Sequence, residues 1–410
     1  MDSKKKKSVK FSSSASGTLP LGESGEKGGK ITIGSRGSDL ALWQANFVLR
    51  ELKKINIRAE IKIIKTQGDI AQNLSWDKLE GKGFFTKEIE DALLKKEIDL
   101  AVHSHKDLPT DPVPGLIIAA VSEREDPSEL LLINKNAVDK NELFSLKKGA
   151  LVGTSSARRK SQMLAWRPDV KLQDLRGNVP TRIKKLRDTN YDAILLANAG
   201  VTRLKINLSE FHSEILDPNE FIPAPAQGVL ALQIRNPSPA LPKREREKDE
   251  WLLKVLQKLN SKDAQEIIYI ERKILNLFDG GCQLPLGVYC QNVENFKGES
   301  VYSVRIAKAE QWNSFPKYFY FETKKTVGFS EKIVQQIKRV IKPSERHCIF
   351  ISRNEKPNDF FKRCLEASNY KVFLNALIET KQVAFSKFEK TDWIELKARK
   401  RSVEDDRMIC

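Results

Sequence analysis

Cysteine, histidine, acidic residues and long apolar runs are all in short supply in this chain. The five cysteines in 410 residues (282, 290, 348, 364 and 410) show no framework spacing, which excludes a disulfide scaffold and leaves the thiols expected reduced. Of the four histidines, only His103 and His105 stand close together, and no paired cysteines lie nearby, so no metal site is expected. No stretch approaches the ~20 apolar residues of a membrane helix. No secretory apolar region follows Lys4 to Lys7, and a cytoplasmic protein is expected.

The deficit of acid is the more informative shortage. Lys and Arg number 71 against 54 Asp and Glu, an excess of 17. Part of it lies in the ends: residues 1–30 hold seven Lys against three acids, and residues 397–410 hold five Lys or Arg against three. Strong basicity suits a nucleic-acid binder. Here, however, the arginines gather at strand-to-helix junctions rather than along one helix face, and no zinc-finger or RNA-recognition signature occurs. No nucleic-acid partner is expected, and a ligand rich in carboxylates accounts for the same charge.

Three stretches combine a strand end, a loop and a helix start. Gly34-Ser35-Arg36-Gly37-Ser38-Asp39 follows a strand over Ile31 to Ile33 and opens an amphipathic helix near 39–54, with Ser38 or Asp39 as N-cap. Free amides there beside Arg36 suit either a plain cap or an anion. Leu100 to Val102 reads as a buried strand running into Ser104-His105-Lys106-Asp107, and such strand ends are where open α/β sheets place ligands. Lys106 and Asp107 read equally as a surface ion pair. The third stretch is double: Gly153-Thr154-Ser155-Ser156-Ala157-Arg158-Arg159 after Leu151 to Val152, and Arg176-Gly177-Asn178 to Arg182 after Val170 to Leu175. Arginines at helix starts oppose the helix dipole, so a negative partner is called for, and Arg suits bidentate carboxylate binding. One more loop stands out, Gly280-Gly281-Cys282-Gln283-Leu284-Pro285, a lone thiol opened by two glycines and ended by a proline. It is a candidate covalent anchor.

Strands alternating with helices predict an α/β chain with two domains of mostly parallel sheet, ligand loops lying at the strand ends. The first set is Ile31 to Ile33, Ala59 to Lys65 and Leu100 to Val102, with helices near 39–54 and 86–96; the second is Leu151 to Val152, Val170 to Leu175 and Ala193 to Ala197. Pro237 to Lys248, with three prolines and dense charge, reads as an exposed connector.

Taken in order, GSRGSDLALWQA, KTQGD, GKGFFTKEIE, AVHSHKDLPT, EREDP, GTSSARRKSQ, LRGNVPTRIKKL, PAPAQGVL and GGCQLPLG make nine motifs over residues 31 to about 342. Together they resemble the porphobilinogen deaminase (hydroxymethylbilane synthase) family. The resemblance implies a transferase that condenses four porphobilinogen molecules head to tail into hydroxymethylbilane, releasing ammonia each time. It implies a dipyrromethane cofactor held by a thioether on Cys282, and Asp107 as the catalytic carboxylate. Cofactor and substrate carboxylates would be held by Arg36, Ser38, Lys82, Ser104, Lys106, Thr154, Ser155, Ser156, Arg158, Arg159, Arg176, Arg182 and Gln227. It implies periplasmic-binding-protein-like architecture: domain 1 over 30–128 and 220–236, domain 2 over 129–219, and a small third α/β domain over 262–343 that carries the cysteine. Residues 1–29 then form a disordered basic tail, 237–261 a charged connector and helix, and 396–410 a basic tail. A monomer is expected. A solute receptor of the same architecture would need neither Cys282 nor Asp107.

Two departures from the family pattern stand out. Ala226-Gln227-Gly228 replaces Gly-Gln-Gly, adding a methyl where backbone freedom is customary, and Glu80-Gly81-Lys82-Gly83 replaces Gly-Gly-Lys-Gly. Residues 344–395 resemble the opening of uroporphyrinogen-III synthase, to which the deaminase product would be handed over. They are expected to be the remnant of a fused synthase, without cyclising activity.

Overall fold

The computed structural model describes residues 30–66, 86–239, 242–278, 284–295, 298–324, 326–340, 348–351 and 371–374. The chain begins with β1 (Ile31–Ser35), α1 (Asp39–Lys54), β2 (Ala59–Ile63), α2 (Lys87–Leu94), β3 (Leu100–Ser104) and β4 (Leu116–Val121). It continues with β5 (Glu129–Asn134), β6 (Leu151–Gly153), α3 (Ala157–Trp166), β7 (Lys171–Gln173), α4 (Val179–Asp188), β8 (Ala193–Ala197), α5 (Asn198–Leu204) and β9 (Phe211–Leu216). Then come β10 (Leu230–Arg235), α6 (Lys243–Gln257), α7 (Lys262–Leu277), β11 (Leu286–Glu294), β12 (Ser300–Lys308), β13 (Lys317–Thr323) and α8 (Phe329–Val340).

Two five-stranded sheets have the same topology. The first runs β2-β1-β3-β10-β4 and the second β7-β6-β8-β5-β9. In each, the strand pairs on one side are parallel, and one strand, β10 or β5, is antiparallel to both its neighbours. Four strands of five therefore point the same way. The reversed strand is in each case the one entered directly from the other sheet: β4 leads to β5, and β9 leads to β10. Both crossings leave an edge strand and arrive inside a sheet.

The central strands are nearly continuous apolar runs because both faces are covered. Ile31, Ile33, Leu100, Val102, Leu230 and Leu232 pack against Phe47, Val48 and Leu52 of α1. That helix buries Gln44, Ala45, Phe47, Val48 and Leu52, the spacing of one amphipathic stripe. The second sheet has a core on each face, one around Leu131, Ile133, Val152 and Leu195, the other around Leu130, Leu132, Ile183 and Ile194.

The run read as an exposed connector is helical from Lys243, a correction of that expectation. Leu252, Val255 and Leu256 bury one stripe of α6 in the first core, and Lys248 reaches Asp99 at 2.6 Å. The charges cover the other face, so their density hid the stripe. The third sheet, β11-β12-β13, is an antiparallel meander with α7 and α8 packed on it through Ile270, Ile274, Ile333 and Ile337. A parallel pair, β14 (Cys348–Ile351) with β15 (Lys371–Leu374), follows.

Candidate functional site

In both large sheets the strand order reverses, between β1 and β3 in one and between β6 and β8 in the other. Loops at the carboxyl ends of those strands border a ligand position. Arg36 and Ser38 follow β1, Ser104 to Asp107 close β3 and its turn, and Thr154 to Arg159 follow β6, whereas Arg176 and Arg182 follow the neighbouring β7.

At the end of β3, the His105 amide donates to the Val229 carbonyl at 2.9 Å, and the chain turns through a 3-10 helix, His105–Asp107. Arg272 of α7 ties this turn down, its Nη1 donating to the His105 and Leu108 carbonyls at 3.0 and 3.3 Å. Both nearby histidines face inward. His103 bonds the Gln233 side chain at 2.9 Å and burial pushes its imidazole down to about 4, while burial, with Arg272 beside it, holds His105 well below its ordinary range. Asp107 is exposed and Lys106 half-buried. The Lys106 ammonium donates to Gln227 Oε1 at 3.2 Å, and burial pushes it down to about 8 against the opposing pull of Asp107 and Glu129.

From the second sheet, Ser156 caps α3, accepting from the Arg159 amide, and Asn178 caps α4, accepting from the Thr181 amide. These caps orient the helix starts that carry the arginines. Ser155 donates to the Leu175 carbonyl at 3.0 Å, joining the two loops, and the Thr154 amide donates to the Gln173 carbonyl at 2.9 Å. Arg182 donates to the Gly177 carbonyl at 2.8 Å. Burial pushes its guanidinium down to about 10, with Arg159 adding to that and Asp107 opposing it. Asp107 of the first sheet therefore lies within electrostatic reach of Lys106 and of Arg182 from the second.

Arg158 and Arg159 already have a carboxylate partner inside the protein. Both are buried, 5% and 6% exposed, and both clamp Glu129 at the start of β5. Arg158 Nη2 donates to Glu129 Oε1 at 2.6 Å; Arg159 Nε and Nη2 donate to Oε2 at 3.0 and 2.6 Å. Arg158 also donates to the Ile222 carbonyl and Arg159 to the Leu195 carbonyl, each at 3.0 Å. Burial alone would raise the Glu129 carboxyl, but Arg159 and Arg158 outweigh it and hold it at about 2. The negative partner demanded by arginines at a helix start is thus, in part, an internal one.

The remaining predicted residues are placed as follows. Ser38 occupies the cap position of α1 without a side-chain cap bond, and Ser104 accepts from Gln44 Nε2 at 2.8 Å. Arg36 and Arg176 are half-buried on their loops. Lys82 and Cys282 lie outside the described residues. Among the described residues the free cysteine is Cys290, buried, its thiol pushed far up by burial and by Glu271. No group of three or more His, Cys, Asp or Glu is placed to hold a metal ion among the described residues, and no described helix is long and apolar enough to cross a membrane.

Sequence reasoning passed over Glu129 and Glu271. Glu271 of α7 is fully buried; it accepts from Arg124 Nη1 at 2.6 Å and from the Ala226 and Cys290 amides at 2.7 and 2.8 Å. It holds both crossing segments and the third sheet at one point. The signal for Glu129 was available: one acid opening the apolar run Leu130 to Ile133. A charge at the head of a fully buried strand needs a partner.

Strand-end loops from two like sheets, bringing Lys106 and Arg182 towards one exposed carboxylate, define an α/β protein with a cationic site where its two halves meet. The family model described as "Porphobilinogen deaminase, dipyromethane cofactor binding domain" matches residues 31–243. The porphobilinogen deaminase of Syntrophomonas wolfei is 46% identical over 258 residues, 62% of this chain and 79% of that protein. Those of Bacillus subtilis (43%, 63% of this chain and 78% of that one) and Clostridioides difficile (42%, 65% and 83%) are similar. The chain belongs to the porphobilinogen deaminase family. Among solved structures, the methionine binding protein MetQ covers 59% of this chain and 96% of its own at 12% identity and a TM-score of 0.35; the fold class stands on the two sheets themselves.

Proposed function

We infer that the chain is a transferase that condenses four porphobilinogen molecules into hydroxymethylbilane, with Asp107 as its catalytic carboxylate. The observation that carries this is the convergence of Lys106 from the first sheet and Arg182 from the second on Asp107. Four cations (Lys106, Arg158, Arg159, Arg182) share that region with two carboxylates, Asp107 and Glu129. The surplus of positive charge fits a ligand whose every pyrrole bears an acetate and a propionate.

The donor set therefore fits dipyrromethane, the cofactor of the family. When bound through Cys282 it supplies a pyrrole acceptor that keeps the growing chain on the enzyme. Lys106, Arg182, Arg36, Arg176, Ser38, Ser104, Thr154, Ser155, Ser156 and Lys82 would hold its carboxylates and those of the substrate. Arg158 has bonds to Glu129 and to a carbonyl and guanidinium N–H groups beyond these; Arg159 is directed more fully at the protein. As ammonia leaves porphobilinogen, positive charge develops on the ring, and a fixed carboxylate at Asp107 stabilises it. Hydrogen bonding to pyrrole N–H groups orients the ring for attack. The protonated forms of Lys106 and the arginines keep the carboxylates still meanwhile.

The test is a pair of variants. Asp107→Asn is expected to fold, to carry its pyrrole cofactor by intact mass, and to lose nearly all turnover; normal turnover would sink the assignment. Cys282→Ala is expected to carry no covalent pyrrole, and a variant that still does would move the anchor elsewhere. A solute receptor would bind porphobilinogen with no covalent adduct on Cys282. A cytoplasmic monomer that hands its product to a uroporphyrinogen-III synthase completes the reading. A fused synthase at 344–395 gains no support from the family match, which lies before residue 244.

A further inference from the structure

Glu129 sits at the crossing from the first sheet to the second, fully buried, and receives four donors: Arg158 Nη2 at 2.6 Å, Arg159 Nε and Nη2 at 3.0 and 2.6 Å, and Gln227 Nε2 at 3.1 Å. The Gln227 amide is anchored by the Pro127 carbonyl at 2.7 Å, and its other end, Oε1, accepts from the Lys106 ammonium at 3.2 Å. Donor and acceptor directions are fixed all along this chain. Because the carboxylate takes the amide N–H, the amide oxygen must face Lys106. The chain starts at the arginines of α3, passes through both crossing segments, and ends on the residue next to Asp107.

We propose that Glu129 is a positioning residue of the reaction, which sets the Arg158 and Arg159 pair and, through the Gln227 amide, holds the Lys106 ammonium beside Asp107. An isolated guanidinium pair repels itself and would turn outward. A buried counter-charge between the two fixes both side chains and leaves the site's cations arranged before a carboxylate arrives, so less of the ligand's binding energy goes into ordering them. It also supports the charge on Lys106. The groups acting on that ammonium are Asp107 on its own turn, Arg158 and Arg159 on α3, and Glu129 on β5. The two carboxylates raise its pKa and the two arginines lower it. Removing the Glu129 charge therefore moves Lys106 deprotonation below its present value of about 8.

This inference rests on the deaminase reading for its activity arm but not for its first measurement. In the full-length holo-protein, acetylation of Lys106 by acetic anhydride is followed by peptide mapping as a function of pH, in wild type, Glu129→Gln and Glu129→Asp. The reactive amine is expected to appear at lower pH in Glu129→Gln, with Glu129→Asp, which keeps the charge, close to wild type. In parallel, the alkaline limb of kcat/KM for porphobilinogen is expected to move to lower pH in Glu129→Gln, with a loss of tenfold or more. Glu129→Asp should recover part of that loss. Should Glu129→Gln fail to fold, Gln227→Leu, which removes the amide link to Lys106 and leaves the arginine donors to Glu129 in place, takes its place in both measurements. Unchanged Lys106 titration in a folded variant overturns the positioning role whatever the activity. A wild type that binds no pyrrole and consumes no porphobilinogen overturns the deaminase reading instead.

Discussion

The two large sheets share one strand order and each buries an ionic cluster on its reversed strand, but at opposite ends. In the first, Arg235 at the close of β10 is 7% exposed; its Nε and Nη2 donate to the Asp249 carboxylate at 3.1 and 2.8 Å. It also caps the Leu93 and Ile98 carbonyls, at 3.0 and 2.8 Å. Ile98 precedes β3, so this cluster lies at the amino end of the parallel strands, away from the ligand loops. In the second sheet, Glu129 opens β5 opposite Ala197, the last residue of β8, and its cluster lies at the carboxyl end, within the site. The same physical need, a buried charge with satisfied partners, is a tie for helices α2 and α6 in one half and an organiser of the cationic site in the other. Position along the strand, not chemistry, separates the two roles.

That comparison is broken most forcefully at Arg235. Arg235→Ala strands Asp249 in the interior and is expected to destabilise the fold by about 3–5 kcal/mol, read by urea denaturation, while the pH profile of the remaining folded enzyme stays put. A shifted profile would mean that the two clusters are not separate in function. Next is acid stability. The Glu129 carboxyl is held at about 2 against an ordinary 4.5, so its contribution is complete above about 4.5 and lost as pH falls toward about 2. Denaturation free energies of wild type should fall across that window, and Glu129→Gln should lack that part of the slope; equal slopes would contradict the pairing.

The smallest effects are expected at the second crossing. Ala226 has φ +62° and is fully buried, a left-handed conformation costing an ordinary residue about 1–2 kcal/mol. Ala226→Gly relieves that strain but loses a buried methyl and gains unfolded-chain entropy, each worth up to about 1 kcal/mol. The net change is expected to stay within about 1 kcal/mol. Gly228→Ala is the contrasting case: at φ +91° an added Cβ would sit 2.3 Å from the Glu125 carbonyl oxygen. A loss above about 2 kcal/mol is expected there, and thermal unfolding of the two variants measures both. The methyl that departs from the family pattern is therefore tolerated at Ala226, where two residues later it is not.

Much of the fold was legible because the central strands are covered on both faces and so read as short apolar runs between loops. Ala193 to Ala197 is a strand over those residues, and the helix near 39–54 is Asp39–Lys54. The helix expected within 237–261 was legible, but its start at Lys243 was not: its opening turns carry Lys, Arg and Glu in succession, and only Leu252, Val255 and Leu256 reveal the buried stripe. In the site, the loops and their cations were legible, since hydroxyls, glycines and arginines at helix starts form local patterns. Their partners were not.

What the sequence determined by itself is therefore whatever depends on near neighbours: the βα units, Ser38 at the cap position of α1, and the placing of Lys106, Asp107, Arg158, Arg159 and Arg182 on loops and helix starts that follow strands. Only the tertiary structure decided which charges meet. Glu129 reaches Arg158 and Arg159 because β5 enters its sheet reversed, between β8 and β9, and Gln227 reaches Lys106 because the second crossing runs past the end of β3. Such contacts join residues far apart in the chain, with no local pattern to mark them, and their energies come from burial that exists only once the sheets have assembled.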